Sequence, residues 1–321
     1  MASGGVTVTG ADARADELAA ALEPSLPGRV ERDAPIAGLT TYRVGGSAAV
    51  LVRARRLGDL AVVAGALRRH PQPLLIVGRG SNLLVADHGF SGLVLLLEGE
   101  FEEITAAESA LHVGGAVALP VLARRAAAAG LAGLEFYVGI PGTVGGAIRM
   151  NAGGHGQETR EVLQSARIVD LHGDGLAVSR SVTELALGYR SSAVGPDEVV
   201  VDATFTVVAD EPAACEARIA EIVRWRREHQ PGGANAGSVF RNPPDDSAGR
   251  LIESAGLKGL RVGGAVVSEK HANFIQAEAG ATAADVRTLV FEVQRRVADA
   301  TGVLLEPELH FVGFEAPGEA S

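Results

Sequence analysis

Two glycine-rich stretches contain the residues whose types and spacing could do chemistry. From residue 139 to residue 156 the chain reads GIPGTVGGAIRMNAGGHG, and Arg149 is its only fixed charge. A second glycine-rich turn, Gly78-Arg79-Gly80-Ser81-Asn82, follows the apolar run 74–77. Glycine permits positive φ and lets backbone N–H groups come close to a phosphate. The two stretches together predict a dinucleotide that is held by backbone amides.

The longer stretch should have no helix or strand of its own, because each glycine adds backbone entropy that folding must remove. Its pairs Pro141-Gly142 and Gly145-Gly146 are turn signals, and we expect their N–H groups to point outward. Asn151 adds a side-chain amide that could donate to a ring carbonyl or accept from a ring N–H. The alternative interpretation is a long surface loop without a ligand.

Composition excludes several classes of function. The chain has 321 residues, enough for two or three domains, and its 47% hydrophobic and 21% charged residues are typical of globular proteins. A formal net charge of −10 argues against a nucleic-acid partner. The single Cys215 excludes an internal disulfide and a cysteine metal cluster, and it fits a reducing compartment. With no signal-peptide pattern and no apolar run of membrane length, we expect a cytoplasmic protein without a membrane or obligate protein partner.

Hydrophobic periodicity predicts an α+β fold of three units. The pattern indicates a peripheral helix over 11–22 within an N-terminal segment 1–35, then two mutually dependent units over roughly 36–105 and 106–211. A linker at 208–212 leads into a third unit over 212–321. Further helices are predicted at 57–69, 119–129, 213–227, 249–255 and 283–301, and strands at 48–53, 74–77, 93–97, 111–113, 166–171, 176–178, 199–208 and 305–312.

The predicted helix 283–301 has one apolar stripe, which we expect to face a sheet. Its members are Val286, Leu289, Val290, Val293 and Val297. The last strand should complete the same unit. Alternation along that strand places Glu306, Glu308 and His310 on one face, so spacing alone does not separate the two glutamates.

Several motifs, taken in order, resemble one family of flavoenzymes. They are Thr41-Tyr42-Arg43-Val44-Gly45-Gly46, the Gly78 turn, the Gly-Ile-Pro-Gly-Thr-Val-Gly-Gly start of the long stretch, Ala236-Gly237-Ser238-Val239-Phe240-Arg241-Asn242-Pro243, Gly256-Leu257-Lys258-Gly259, Lys270-His271-Ala272-Asn273-Phe274 and Leu305-Glu306-Pro307-Glu308-Leu309. The set is similar to the UDP-N-acetylenolpyruvoylglucosamine reductases, also called UDP-N-acetylmuramate dehydrogenases or MurB. The resemblance covers roughly residues 36–314.

The resemblance implies a fold and a cofactor. It implies a two-part FAD-binding module of the vanillyl-alcohol-oxidase (PCMH) type over 36–211 and a C-terminal α+β substrate-binding domain over 212–321. The FAD would be non-covalent, since no His or Cys stands in a flavin-attachment motif. The implied FAD contacts are Tyr42, Arg43, Gly78, Arg79, Gly80, Ser81, Asn82, Gly139, Ile140, Pro141, Gly142, Thr143, Gly145, Gly146 and Asn151.

The resemblance also implies a reaction in which NADPH reduces FAD, and the reduced cofactor passes hydride to the enolpyruvyl double bond of a UDP-sugar. It assigns Ser238 as the acid that protonates the enolate carbon, with Arg190 and Glu308 supporting the enolate and its carboxylate. A positioned hydroxyl can protonate so basic a carbon, and a guanidinium fork matches a carboxylate. The implied substrate contacts are Tyr189, Arg226, Asn242 and Lys270.

The sequence departs from the family pattern at His229 and Arg241, where many relatives carry lysine, and at His310, where arginine is common. Two other functions stay open. The protein could be an oxidase or dehydrogenase of another sugar acid, although such an enzyme needs no proton donor to carbon. It could also be a non-catalytic flavin-binding module. Without the flanking motifs, the simpler interpretation of Ser238 is a turn cap, and that of Arg190 is an exposed ion-pair partner.

Overall fold

The computed structural model describes residues 10–107 and 110–315 and divides them into three units. The first contains α1 (Gly10–Leu22), β1 (Val30–Pro35), β2 (Ser47–Ala54), α2 (Leu57–Arg69), β3 (Leu74–Val77), β4 (Leu83–Val85) and β5 (Phe90–Leu97). Its sheet has the order β1-β2-β5-β3, with β2, β5 and β3 parallel and β1 antiparallel to β2. Both faces are covered, because Val50 and Val52 enter one apolar core while Leu51 and Val94 enter another.

The predicted N-terminal helix is present as α1, but it is not peripheral. Leu18 and Leu22 are fully buried and share a core with Leu60 of α2 and Leu95 of β5. Residues 30–35, which we assigned to the same peripheral segment, form the edge strand β1. Alanines such as Ala19 dilute the apolar stripe of α1 in the sequence, yet their small side chains let the helix approach the sheet closely.

We expect Leu18→Ala to lower the free energy of unfolding by about 2–5 kcal/mol, because it removes a fully buried side chain and leaves a cavity. Leu176→Ala is the matched control. Its side chain is 63% exposed, so the change should stay within about 0.5 kcal/mol. Urea unfolding followed by circular dichroism measures both variants, and equally small losses in the two would contradict a core role for α1.

The second unit is built on an antiparallel sheet of order β12-β11-β13-β7-β6. Its elements are β6 (Ile104–Ala107), β7 (Ala110–Gly114), α3 (Leu119–Ala128), β8 (Leu131–Ala132), α4 (Val144–Arg149), β9 (Gly153–Gly154), β10 (Gln157–Glu158), α5 (Thr159–Val162), β11 (Leu163–Asp170), β12 (Ala177–Ser181), α6 (Val182–Leu185), β13 (Glu198–Thr206), β14 (Val208–Ala209) and α7 (Pro212–His229). The short helix α4 lies inside the glycine-rich stretch, where we predicted no helix.

The helix α7 packs with the second unit, although the predicted boundary at residue 212 assigns it to the third. Cys215 and Ile219 are buried in the same core as Leu122 of α3 and Phe136. The predicted linker at 208–212 is also bound to the second unit, since β14 pairs with β8 and the Asp210 amide donates to the Gly130 carbonyl. On packing grounds we therefore place the boundary after α7.

The third unit is a small antiparallel sheet of order β15-β18-β17-β16 against two helices. It contains β15 (Ala234–Asn235), α8 (Ala248–Ser254), β16 (Arg261–Val262), β17 (Ala265–Val267), β18 (Ile275–Ala277) and α9 (Ala283–Thr301), and the last strand of the chain, β19 (His310–Val312), follows α9. A capping box of Thr282 and Asp285 begins α9, and Gly302 ends it at a φ of +75°. All five residues of the predicted stripe of α9 are buried, as expected.

The last strand does not complete the third unit. Only residues 310–312 form β19, and they pair in parallel with β4 of the first unit. Just before it, Pro307 makes an isolated bridge with Phe240. Asn82 then fixes the crossing, because its Nδ2 donates to the Glu308 carbonyl at 3.1 Å and its own carbonyl accepts from the His310 amide at 3.0 Å. The C-terminal chain thereby places Glu308 beside the glycine-rich turn 78–82.

None of the helices in the ranges 10–107 and 110–315 is long and apolar enough to span a lipid bilayer.

Candidate active site

Three of the predicted FAD-binding segments meet at the glycine-rich turn 78–82. Gly80 adopts a φ of +57°, and a Cβ there would lie 2.3 Å from the Leu39 carbonyl oxygen, so no other residue fits. The Gly80 carbonyl accepts from the Thr41 amide at 3.4 Å. On the other side, a Cβ on Gly78 would come within 2.5 Å of the Thr143 hydroxyl. Residues 41–43, 78–82 and 139–146 therefore form one continuous surface.

This surface offers hydrogen-bond donors and positive charge that the protein itself does not use. The buried hydroxyl of Thr41 has no hydrogen-bond partner among residues 10–107 and 110–315. The guanidinium groups of Arg43 and Arg79 are exposed and pair with no carboxylate within the ranges described. Backbone amides that find no acceptor in the same part of the chain are those of Arg79, Gly80, Ser81, Asn82 and Thr143. Free amides and cations at glycine turns suit a diphosphate, so these residues fit FAD.

We expect the purified protein to be yellow, because these donors hold the FAD without a covalent bond. Denaturation should then release free FAD into the supernatant, where its absorbance and retention time identify it. A protein that stays colourless after incubation with FAD would contradict the assignment of this surface.

Two expectations for the long glycine-rich stretch are wrong. The Gly145 amide does not point outward but donates to the Gly115 carbonyl at 2.8 Å, and the Gly146 amide donates to the Thr143 hydroxyl at 3.4 Å. Neither glycine has a positive φ. Thr143 is the N-cap of α4, so the first turn of this helix takes up the amides that we expected a ligand to use.

Asn151 is also placed differently from the prediction. Its side chain is fully buried, and both its donors and its acceptor are engaged with protein groups. No part of the amide is left for a flavin ring. Tyr42 is a similar case: its ring lies in the core of the third unit beside Val239 and Phe240, and burial raises the pKa of its hydroxyl. Tyr42 therefore joins the first and third units, while the backbone beside it faces the glycine turn.

The segments that carry the predicted catalytic residues meet where the three units come together. Arg190 Nε lies 3.0 Å from Glu308 Oε1, and the Glu308 amide donates to the Val239 carbonyl at 2.7 Å. Ser238 directly precedes Val239 and follows Gly237, which has a φ of +74°. Its exposed hydroxyl makes no hydrogen bond within the described ranges and is available to a ligand. The second unit thus supplies the guanidinium, and the third supplies the hydroxyl and the carboxylate.

The electrostatics around Glu308 favour an anionic ligand. Burial raises the pKa of the Glu308 carboxyl, while the charges of Arg190 and Arg241 lower it. Burial, with the charges of Arg149 and Arg241, also lowers the pKa of the neighbouring His310, which favours its neutral form. The buried Nε of Arg241 finds no hydrogen-bond partner in the described part of the chain. One carboxylate therefore faces more than one guanidinium, and a substrate carboxylate would balance the charge.

Sequence reasoning did not place Arg149 near His310, and it treated Arg241 only as a departure from the family pattern. The available signal for Arg149 was its position as the only fixed charge in the long glycine-rich stretch.

The predicted substrate contacts form two groups. In the first, the Tyr189 hydroxyl accepts from the Asn242 amide at 3.3 Å, and the Arg190 guanidinium lies 5.2 Å from the centre of the Tyr189 ring. The Asn242 Oδ1 accepts from the Ala248 amide at 3.0 Å, which leaves its Nδ2 group for a ligand.

The second group surrounds the end of α7. Burial lowers the pKa of Arg226, whose Cδ lies 3.3 Å from the position of a Cβ on Gly139, so this cation touches the glycine-rich stretch. Lys270 donates to the Arg227 carbonyl and caps the helix. Sequence reasoning missed Trp225, which is 42% exposed and stacks on His229 with ring centres 4.6 Å apart. Residues 224–229 therefore present cations and an aromatic face together.

Comparison with known proteins also separates an FAD-binding part of the chain from a C-terminal part. A model described as an FAD binding domain matches residues 48–179, and one described as the C-terminal domain of UDP-N-acetylenolpyruvoylglucosamine reductase matches residues 229–312. The second match begins at the last residue of α7, where packing places the boundary. Together they confirm the α+β arrangement of an FAD-binding module followed by a C-terminal domain.

Similar whole proteins carry the same name. The UDP-N-acetylenolpyruvoylglucosamine reductase of Nitrobacter hamburgensis is 43% identical over 297 residues, 91% of this chain and 96% of that protein. That of Paramagnetospirillum magneticum is 44% identical over 293 residues, 91% and 94% of the two chains. The crystal structure of UDP-N-acetylenolpyruvylglucosamine reductase (MurB) from Thermus caldophilus superposes with a TM-score of 0.77 at 38% identity and covers 88% of this chain and 99% of that one. This chain belongs to the UDP-N-acetylenolpyruvoylglucosamine reductase family.

Proposed function

We propose that this protein uses NADPH to reduce the enolpyruvyl group of UDP-N-acetylglucosamine-enolpyruvate, giving UDP-N-acetylmuramate for peptidoglycan synthesis. The observation that carries the proposal is the Arg190–Glu308 pair at 3.0 Å, tied through Val239 to the Ser238 loop. A guanidinium, a buried carboxyl and a free hydroxyl are the groups that an enolate intermediate requires. We also propose a cytoplasmic location, which fits the single cysteine.

Bound FAD supplies the hydride chemistry that links NADPH to the substrate. Hydride addition at the terminal enolpyruvyl carbon drives negative charge toward the adjacent carbon and its carboxylate. Arg190 stabilises that charge through parallel hydrogen bonds, and Arg241 adds a second positive charge. The Ser238 hydroxyl then donates its proton to the enolate carbon.

Glu308 holds the arginine in place and contributes a carboxyl whose pKa is raised by burial. A raised pKa makes the carboxyl easier to protonate, and in its protonated form it can donate to the developing enolate oxygen. The glycine turns hold the FAD, and the cations at the end of α7 gather the diphosphate of the UDP-sugar.

The test is an assay with UDP-N-acetylglucosamine-enolpyruvate and NADPH that follows the loss of nicotinamide absorbance. We expect ping-pong kinetics with inhibition by the UDP-sugar that is competitive against NADPH, because both ligands carry a diphosphate that suits the same cations at Arg226. Intersecting double-reciprocal lines, with inhibition that high NADPH does not relieve, would indicate separate sites. No turnover, together with rapid reaction of the reduced enzyme with oxygen, would favour an oxidase instead.

A further inference from the structure

We propose that Asn151 is a positioning residue that fixes the catalytic Arg190 relative to the glycine-rich stretch. This inference rests on the proposed function, because the role of Arg190 comes from it. Asn151 lies two residues after α4, and Arg190 lies on a turn in a distant part of the second unit. The side chain of Asn151 joins the two.

Both side-chain N–H donors of Asn151 and its carbonyl oxygen bond to fixed protein partners. Its Nδ2 donates to Glu158 Oε2 at 3.0 Å and to the Gly188 carbonyl at 2.9 Å, and its Oδ1 accepts from the Arg160 amide at 3.0 Å. The side chain is 0% exposed, so water does not compete for these bonds. Its backbone φ of +41° lies in the left-handed region, which asparagine tolerates better than most residues.

Gly188 begins the turn that presents Arg190. The amides and carbonyls of Gly188 and Ser191 bond reciprocally at 3.0 and 3.3 Å and close the turn. Arg190 itself has a φ of +52°, an unfavourable conformation for arginine that persists only where its surroundings impose it. The bond from Asn151 to the Gly188 carbonyl is one such constraint.

A second attachment holds the other side of the turn. The Ser192 hydroxyl donates to the Arg149 carbonyl at 2.8 Å, and the Arg149 side chain donates to the Val194 carbonyl at 3.0 Å. Arg149 and Asn151, at the end of α4 and just after it, therefore bond to residues 188–194 on both sides of Arg190. Because α4 follows directly from Thr143, these bonds attach the turn that carries Arg190 to the glycine-rich stretch.

Asparagine is the residue that this position requires. It has two donors for the Gly188 carbonyl and the Glu158 carboxylate and one acceptor for the Arg160 amide. An ionised aspartate has no donor, so it would repel both acceptors. A protonated one can still donate to one of them, which makes Asn151→Asp a substitution whose effect depends on pH.

The experiment uses the FAD-loaded enzyme and follows its two half-reactions by stopped flow. For Asn151→Asp we expect oxidation of the NADPH-reduced enzyme by the enolpyruvyl substrate to slow about 10²-fold at high pH, since a misplacement of about 1 Å has that effect on catalysis. The rate should recover as pH falls, relative to wild type at each pH. Reduction by NADPH, which does not need Arg190, should change little.

Two further variants separate positioning from general damage. Asn151→Ala should slow the same half-reaction without the recovery at low pH. Adding Glu158→Gln to Asn151→Asp should shift the recovery to lower pH, because it removes a neighbouring negative charge that raises the pKa of the introduced carboxyl. Equal slowing of both half-reactions in Asn151→Ala, or no slowing in either variant, would overturn the proposal. An inactive wild-type enzyme would instead refute the proposed function.

Discussion

Ser238→Ala is expected to slow the oxidation of the NADPH-reduced enzyme by the enolpyruvyl substrate about 10²–10⁴-fold, the range for loss of a positioned general acid. Reduction of the flavin by NADPH should remain nearly unchanged, because that step transfers hydride and needs no acid. The Ser238 hydroxyl is exposed and makes no hydrogen bond in the part of the chain that the structure describes, so its loss should leave the surrounding fold intact.

Stopped-flow traces of the two half-reactions measure this difference within one preparation. Ser179→Ala is the matched control, since it removes the same hydroxyl from an exposed position on β12, and it should affect neither step. Equal slowing of both half-reactions in Ser238→Ala would mean that the residue shapes the site rather than donating a proton.

Arg190→Met is expected to reduce the rate of the same oxidative half-reaction by about 10²–10³-fold, the typical effect of removing one group that stabilises a developing oxyanion. The substitution also removes a positive charge 3.0 Å from Glu308. That charge lowers the pKa of Glu308 against the effect of burial, so its removal should raise the pKa further. The step in the pH–rate profile that belongs to Glu308 should therefore move to higher pH.

Arg190→Lys separates the effect of the positive charge from the effect of the guanidinium geometry. Lysine keeps the positive charge but loses the planar fork, so the pH profile should move less than in Arg190→Met while the rate still falls. In Glu308→Gln the step in the pH profile should disappear. A step that stays at the wild-type pH in Arg190→Met would show that the ion pair does not control the titration.

Sequence patterns predicted the helices and strands whose formation depends on residues within one segment. The helix α9 has its stripe, its capping box and a terminal glycine within one segment, and it was predicted over its full length. The strand β3 was also predicted at its observed ends. The helix α4 was missed because glycine content argued against a helix, whereas the Thr143 cap and packing of Gly145 on the second sheet stabilise one. Tertiary context here outweighs propensity.

The residues of the site could be predicted from the sequence, but the residues that each of them contacts could not. Resemblance identified Arg190, Ser238 and Glu308, and the structure brings the segments that carry them together. Resemblance also marked Asn151, but its bond to Gly188 joins residues that are distant in sequence, and no pattern within either segment predicts such a contact. The pairing of β19 with β4 was missed for the same reason, because alternation identifies a strand but not its neighbour.

The bond between Asn82 and the Glu308 carbonyl joins residues 226 positions apart. During synthesis, the turn at Asn82 leaves the ribosome long before β19 exists, so the Asn82 side-chain amide and carbonyl cannot bond to Glu308 and His310 until the C-terminal strand pairs with β4. Contacts of such long sequence separation form late, because the entropy of closing a large loop opposes them. Placement of Glu308 beside the turn at Asn82 should therefore follow the synthesis of β19, and a nascent chain truncated before residue 308 should not reach it.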